Sequence, residues 1–274
     1  MKKFILSTAF LLSAAACANE EQTLKPGEVF KDCETCPEMV VIPAGEGMVG
    51  LHPKAVRKRG MPWRMITITA PFAVARFEVL QEEYYQCVEE GQCAPATTGF
   101  HDGLRRNPAH DLSWNDAKLY VDWLSKKTGE LYRLLSENEW EYAARAGSDE
   151  MYWWGDEFRY GMDVCDGCSR SKQYISPVPA DISLFQANPF GLYFMLGNVS
   201  EWVADCLDEV SKTNFSNTSA PVLSKGVCKF RLFKGGNFRT APSFIHPSEG
   251  LGLDGASKKS KNGAQGLRVA RDLK

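Results

Sequence analysis

The hydrophobic pattern changes its period several times along the chain, and each change predicts an element. Lys2 and Lys3 precede an apolar run over residues 4–12 and then small residues over 13–16. That order predicts a signal peptide over 1–18, because the apolar run is shorter than the roughly 20 residues that cross a bilayer as a helix. A continuous apolar run over 39–43, followed by Ala44, Gly45, Glu46 and Gly47, predicts a buried strand entering a glycine turn. Residues 66–69 and 72–79 read as extended.

From Leu80 the period becomes helical. Leu80, Tyr84, Cys87 and Val88 share one face and Gly91 ends the run. A better marked helix follows: Ser113 with Asp116 forms a capping box, Ala117, Tyr120, Val121 and Leu124 repeat at i, i+3, i+4 and i+7, and Gly129 stops it. A third begins at Ser136 with Glu139 as its N3 partner, carries Trp140, Ala143 and Ala144, and stops at Gly147. A short strand over 132–135 separates the last two. Over 151–229 the periodicity fades into Gly, Pro, Asn, Asp and aromatics, which predicts long packed loops. Strand-like sequence returns at 230–238 and 267–271. Strands, then helices, then loops, then strands make an α+β domain.

After the signal peptide the plan is a tether over 19–30 and one domain over 31–274. Seven tryptophans are spread along the chain with no linker between them. A formal net charge of −2 leaves no electrostatic footprint for nucleic acid, so none is expected as a partner. The carboxylates Glu137, Glu139 and Glu141 fall at a helix start, where they complement the helix dipole. His52, His101, His110 and His246 lack the spacing of metal ligands and read as surface or capping residues.

The cysteines speak of compartment. Ala14-Ala15-Ala16-Cys17 resembles a lipobox, which would make Cys17 a lipidated N-terminus and a lipid anchor; Ala16-Cys17-Ala18 also fits ordinary cleavage. The expected location is therefore exported, either periplasmic or a membrane-anchored lipoprotein. The other eight fall into local couples, Cys33 with Cys36, Cys87 with Cys93, Cys165 with Cys168 and Cys206 with Cys228, as disulfides would in an oxidising compartment. The alternative is that Cys33, Cys36, Cys165 and Cys168 form a four-thiolate zinc site.

A set of ordered blocks carries a resemblance. These are Phe77-Glu78-Val79, the segment from Leu112 to Ala117, the segment from Tyr132 to Arg145, Asn188-Pro189-Phe190-Gly191-Leu192-Tyr193, Gly197-Asn198-Val199-Ser200-Glu201-Trp202, Lys234-Gly235-Gly236-Asn237-Phe238 and Gly266-Leu267-Arg268-Val269-Ala270-Arg271. Together the chain resembles the formylglycine-generating enzyme, or sulfatase-modifying factor, family. The resemblance implies a C-type-lectin-like fold, loop-rich and often stabilised by calcium. Trp140 and Trp202 read as core anchors, and Arg133, Arg145 and Arg268 as withdrawn guanidinium groups tying loops together. The family uses the turn around Asn198 and Glu201 for calcium, and hard oxygen ligands suit that ion. The competing reading has Asn198 capping a turn and Glu201 pairing with an arginine.

The resemblance also implies a cysteine pair that binds Cu(I) and oxidises a substrate cysteine, the first four positions after the second glycine and the other five further on. Here those positions are Thr240 and Ile245. Neither replaces a soft thiolate, so no copper is expected. Two functional expectations follow. One is an exported binding, assembly or maturation factor for an unidentified protein or small molecule, as in gliding-motility lipoproteins of this family. The other is an exported oxidoreductase of the pyoverdine-maturation type, or a formylglycine oxidase using relocated thiols.

Overall fold

A computed structural model describes residues 24–55, 61–96, 104–171, 173–181, 185–207, 217–221, 228–248, 256–257, 259–261 and 263–273. In chain order its first elements are β1 (Val29–Phe30), β2 (Met39–Ile42), β3 (Gly45–Val49), β4 (Arg64–Ile68), β5 (Phe72–Ala75), α1 (Gln81–Glu89), α2 (Trp114–Thr128), β6 (Tyr132–Leu134) and α3 (Glu137–Arg145). They are followed by β7 (Ser200–Leu207), β8 (Phe230–Lys234), β9 (Ala256–Ser257), β10 (Gln265–Leu267) and β11 (Val269–Asp272). The class is α+β, as the order of patterns predicts.

Three sheets organise the described residues. The first is antiparallel, in the order β1-β2-β5-β11-β6, so the last strand of the chain inserts between two early ones. The second runs β10-β7-β8-β9, with β10 parallel to β7. β3 and β4 form a separate ribbon.

The helices start and stop where the side chains require. Ser113 Oγ accepts the Asp116 N–H at 3.2 Å while Asp116 Oδ2 accepts the Ser113 N–H at 2.8 Å, which satisfies two donors that the first turn of α2 would otherwise leave open. Ser136 and Glu139 do the same for α3, at 3.1 and 2.9 Å. Gly129, at φ 77°, ends α2 in the left-handed conformation that glycine adopts without steric cost.

Trp140, fully buried, anchors one apolar cluster with Ile42, Ile66, Leu196 and Ile245. Trp202 anchors another with Tyr120, Leu124 and Leu134. A third joins Phe77, Val164, Val178, Phe194 and Phe238 behind the loop that carries the candidate site.

Four sequence-based boundaries need correction. The tether does not extend to residue 30: the Gly27 N–H donates to the Val41 carbonyl at 2.8 Å and β1 pairs with β2, so residues 24–30 belong to the domain. The extended run expected over 72–79 ends as a strand at Ala75. The strand expected over 230–238 ends at Lys234, because Gly235 and Gly236 turn the chain at φ 92° and 69°. Most importantly, the loop region contains the eight-residue β7, whose residues are buried on both faces, so no alternation marks it. Residues 1–23, including Cys17, lie outside the described residues. Among the described residues no helix is long and apolar enough to cross a membrane.

Candidate functional site

The candidate site forms where β8 leaves its sheet. Gly235 packs so closely on Trp140 that an added Cβ would stand 3.1 Å from the indole, and its carbonyl accepts the Gly197 N–H at 2.8 Å. Gly236 turns the chain back on itself. A Cβ there would meet Ile245 Cδ1 at 2.7 Å and the Cγ2 and Oγ1 of Thr240 at 3.3 Å. The fold therefore brings residues 240 and 245 together over one glycine. What meets there is a hydroxyl and a hydrocarbon. Thr240 Oγ1 accepts the Asn237 N–H at 3.0 Å and its carbonyl accepts the Asp166 N–H at 3.0 Å, while Ile245 is fully buried.

Beneath this turn lies a buried ionic cluster. Glu201 Oε2 accepts the Trp140 Nε1–H at 2.6 Å, and the Arg268 guanidinium lies 2.8 Å from Oε1. Arg268 also donates to the carbonyls of Ala75 and Tyr193, at 2.8 and 2.9 Å, so one side chain ties β5, the junction of β10 and β11, and the loop before β7. Glu78 stands 3.9 Å from the same guanidinium, and its Oε1 is buried with no partner. Burial pushes the Glu78 carboxyl up to about 8 against the pull of Arg268, with Glu201 adding to the rise. Burial raises Glu201 as well, against Arg268 and Trp140.

Asn198 sits at φ 56°, its Oδ1 accepting the Val178 N–H at 2.8 Å and its carbonyl the Phe238 N–H at 3.0 Å. It thus pins the 173–181 loop to the glycine turn. As placed, Asn198 and Glu201 do not fit a calcium ion through their side chains. Their oxygens already serve protein donors, and a dication against Glu201 would face the Arg268 charge.

The other charged residues of these blocks have specific partners. Arg133 holds Glu139 through both terminal nitrogens at 2.7 and 2.9 Å. Arg145 holds Glu141 at 2.9 Å, and Lys234, fully buried, lies 3.4 Å from Glu137. The three glutamates of α3 thus do more than complement a dipole: each anchors a cation from another position. Lys234 and Glu78 carry little sequence signal of burial, since each looks like a polar residue at a strand end.

The disulfides are Cys33–Cys36, Cys87–Cys93, Cys165–Cys168 and Cys206–Cys228, with Cα separations of 5.0, 5.2, 5.0 and 5.7 Å. The two C-x-x-C units pack in different apolar clusters, so they do not converge as zinc ligands. Cys165–Cys168 lies against the candidate site, sharing its cluster with Ile245. The histidines correct one expectation. His52 and His246 are buried, not on the surface, with His52 Nε2 near the Asp149 carbonyl at 3.1 Å and His246 Nδ1 near Ser248 Oγ at 2.8 Å. His110 is held below its usual pKa by burial, and His101 lies outside the described residues. Among the described residues no three His, Cys, Asp or Glu side chains gather as a metal would need.

Chemically the arrangement offers a rigid turn with a capped hydroxyl and an apolar floor. It fits no copper ion at residues 240 and 245, where the soft donors are lacking.

Comparison with known proteins agrees with this architecture. PvdO from Pseudomonas aeruginosa has a structure similar to this one at a TM-score of 0.76, with 33% identity, covering 92% of this chain and 100% of that one. The formylglycine-generating enzyme of Streptomyces coelicolor is 29% identical over 181 residues, 62% of this chain and 54% of the relative. The inactive C-alpha-formylglycine-generating enzyme 2 of Bos taurus is 36% identical over 122 residues, 40% of this chain and 37% of the relative. The chain thus spans between 37% and 54% of the length of these two relatives. The profile of the sulfatase-modifying factor enzyme 1-like domain matches residues 25–273, and the chain belongs to that family.

Proposed function

We propose that the protein is an exported binding, assembly or maturation factor built on the sulfatase-modifying-factor fold, without cysteine-to-formylglycine oxidase activity. The observation that carries this reading is the meeting of Thr240 and Ile245 over Gly236. A thiolate pair at that turn is what the family's copper chemistry requires, and neither residue supplies one. The four disulfides and the leader-like amino terminus support export, either to the periplasm or as a lipoprotein anchored through Cys17. Metal analysis of the mature protein tests the reading. The expected result is no stoichiometric copper or iron. A full equivalent of either would favour an oxidoreductase of the pyoverdine-maturation type, which needs a redox centre.

One observation favours a second reading, an oxidase with relocated thiols. The Asp166 N–H donates to the Thr240 carbonyl and Gly167 packs on Pro242, so the Cys165–Cys168 pair abuts the candidate site. Both sulfurs are buried and joined to each other, and as a disulfide neither is a thiolate. Copper binding by the reduced wild type, lost in Cys165→Ser/Cys168→Ser, would establish this reading.

A further inference from the structure

A cavity of about 440 Å³ opens between α2, β6, β7 and β8, away from the Thr240 turn, and its lining is mostly apolar, with Trp114, Leu134, Ala204, Ala220 and Pro221 facing it. The charges of its wall are matched within the protein. Arg133 holds Glu139 and Asp272, each at 2.7 Å, Lys118 holds Asp122, and Asp205 offsets the charge of Arg231. The polar groups of the wall are committed as well. Arg231 stacks on the Trp114 ring, with Cζ 3.9 Å from the centroid, and donates to the Ala204 carbonyl at 2.6 Å, while its Nε is withdrawn from solvent. The Trp114 Nε1–H donates to the Val203 carbonyl at 2.9 Å, and Ser136 and Glu139 serve each other at the start of α3. The rim is fixed too: the Asn217 carbonyl accepts the Thr67 N–H at 3.0 Å and the Thr218 carbonyl accepts Asn138 Nδ2 at 2.8 Å, which holds the segment that carries Ala220 and Pro221.

We propose that this cavity binds an uncharged ligand of amino-acid size through an apolar body. Water in a concavity whose polar lining is already partnered finds few hydrogen bonds, so an apolar group that displaces it gains free energy. A charged ligand meets the opposite balance. Either sign of charge would leave bulk water for a wall whose own charges are spent on one another, and that loss of hydration has nothing to offset it. Because the Trp114 ring is clamped by its hydrogen bond and by Arg231, the apolar wall stands in place before the ligand arrives, which spares the cost of ordering it. The volume accommodates one group of amino-acid size. A free small molecule and a single side chain of a peptide share this chemistry.

The test is calorimetric titration of the protein with four probes: the neutral N-acetylphenylalaninamide, the matching acid N-acetylphenylalanine, the cation phenethylamine and a neutral pentapeptide with a central phenylalanine. The amide should bind at least ten times more tightly than the acid and than the amine. Its affinity should not fall as salt is raised, and Lys118→Gln should leave it within about twofold of wild type. Ala220→Trp, at an exposed position of the rim, should fold normally and weaken the amide at least tenfold by filling the cavity. A pentapeptide that binds more tightly than the amide supports the site with a peptide side chain as its ligand, and the reverse order supports it with a free small molecule. No binding of any probe, an acid or amine bound as tightly as the amide, or an Ala220→Trp variant that binds as wild type would each overturn the proposal. If Ala220→Trp does not fold, the ratios of amide to acid and amine together with Lys118→Gln decide. Metal content and thiol chemistry at the Thr240 turn do not enter this measurement, so its failure leaves the proposed function standing.

Discussion

Arg268 lies 2.8 Å from Glu201 in the interior of the molecule, with both side chains withdrawn from water. The pair joins the junction of β10 and β11 to β7, and its guanidinium also reaches back to β5. Removing the cation would leave two buried carboxyls, Glu201 and Glu78, without their positive partner. Arg268→Met should therefore destabilise the protein by about 3–5 kcal/mol. Urea unfolding of the protein followed by tryptophan fluorescence measures it, and a loss below about 1 kcal/mol would show that the pair is replaceable.

The buried acids give the fold a pH dependence of known sign. Glu78 is raised to about 8 and Glu83 to about 7, against 4.5 in water, both chiefly by burial. Between these values the folded chain keeps protons that the unfolded chain releases, so their contribution is fully present below the unfolded pKa and is lost as pH rises through the folded ones. Glu83→Gln and Glu78→Gln should each gain melting temperature relative to wild type on going from pH 5.5 to pH 8. A difference between variant and wild type that does not change with pH would contradict this assignment.

The disulfides should contribute unequally. Cys206–Cys228 closes a loop with a sequence separation of 22, whereas Cys165–Cys168 spans a separation of 3. Loop entropy assigns the first about 3 kcal/mol and the second about 2 kcal/mol. Paired serine variants of each couple, compared by their denaturation midpoints, should rank in that order.

Gly236 is the position where backbone and site are the same thing. At φ 69°, with Ile245 Cδ1 2.7 Å from an added Cβ, Gly236→Ala adds a strained backbone to a clash. The expected cost is about 2–4 kcal/mol. Combining it with Ile245→Ala should recover only the steric part, which thermal unfolding of the double variant will show.

How much of this was legible in the sequence depends on the kind of interaction. The caps at Ser113 and Ser136 act within four residues, so the starts of α2 and α3 could be read directly. β7 could not, because Glu201 and Asp205 are buried polar residues inside a strand whose apolar residues face both ways, and alternation fails there. At the site, the glycine pair and the missing thiols were visible as residue types. Their convergence was not, since Thr240 and Ile245 meet through the fold of a turn and not through a helical or strand period. The partners of Asn198 and Glu201 come from residues 178, 140 and 268, distances along the chain that spacing rules do not reach.

On the proposed reading, a turn holding Thr240 and Ile245 does not carry the family's copper-dependent oxidation. The decisive experiment incubates the protein with copper, oxygen and a cysteine-containing sulfatase-type peptide and follows the peptide by mass spectrometry. The expected outcome is a peptide of unchanged mass after prolonged incubation. Catalytic conversion of the cysteine to the aldehyde, at a rate proportional to protein concentration, would contradict it.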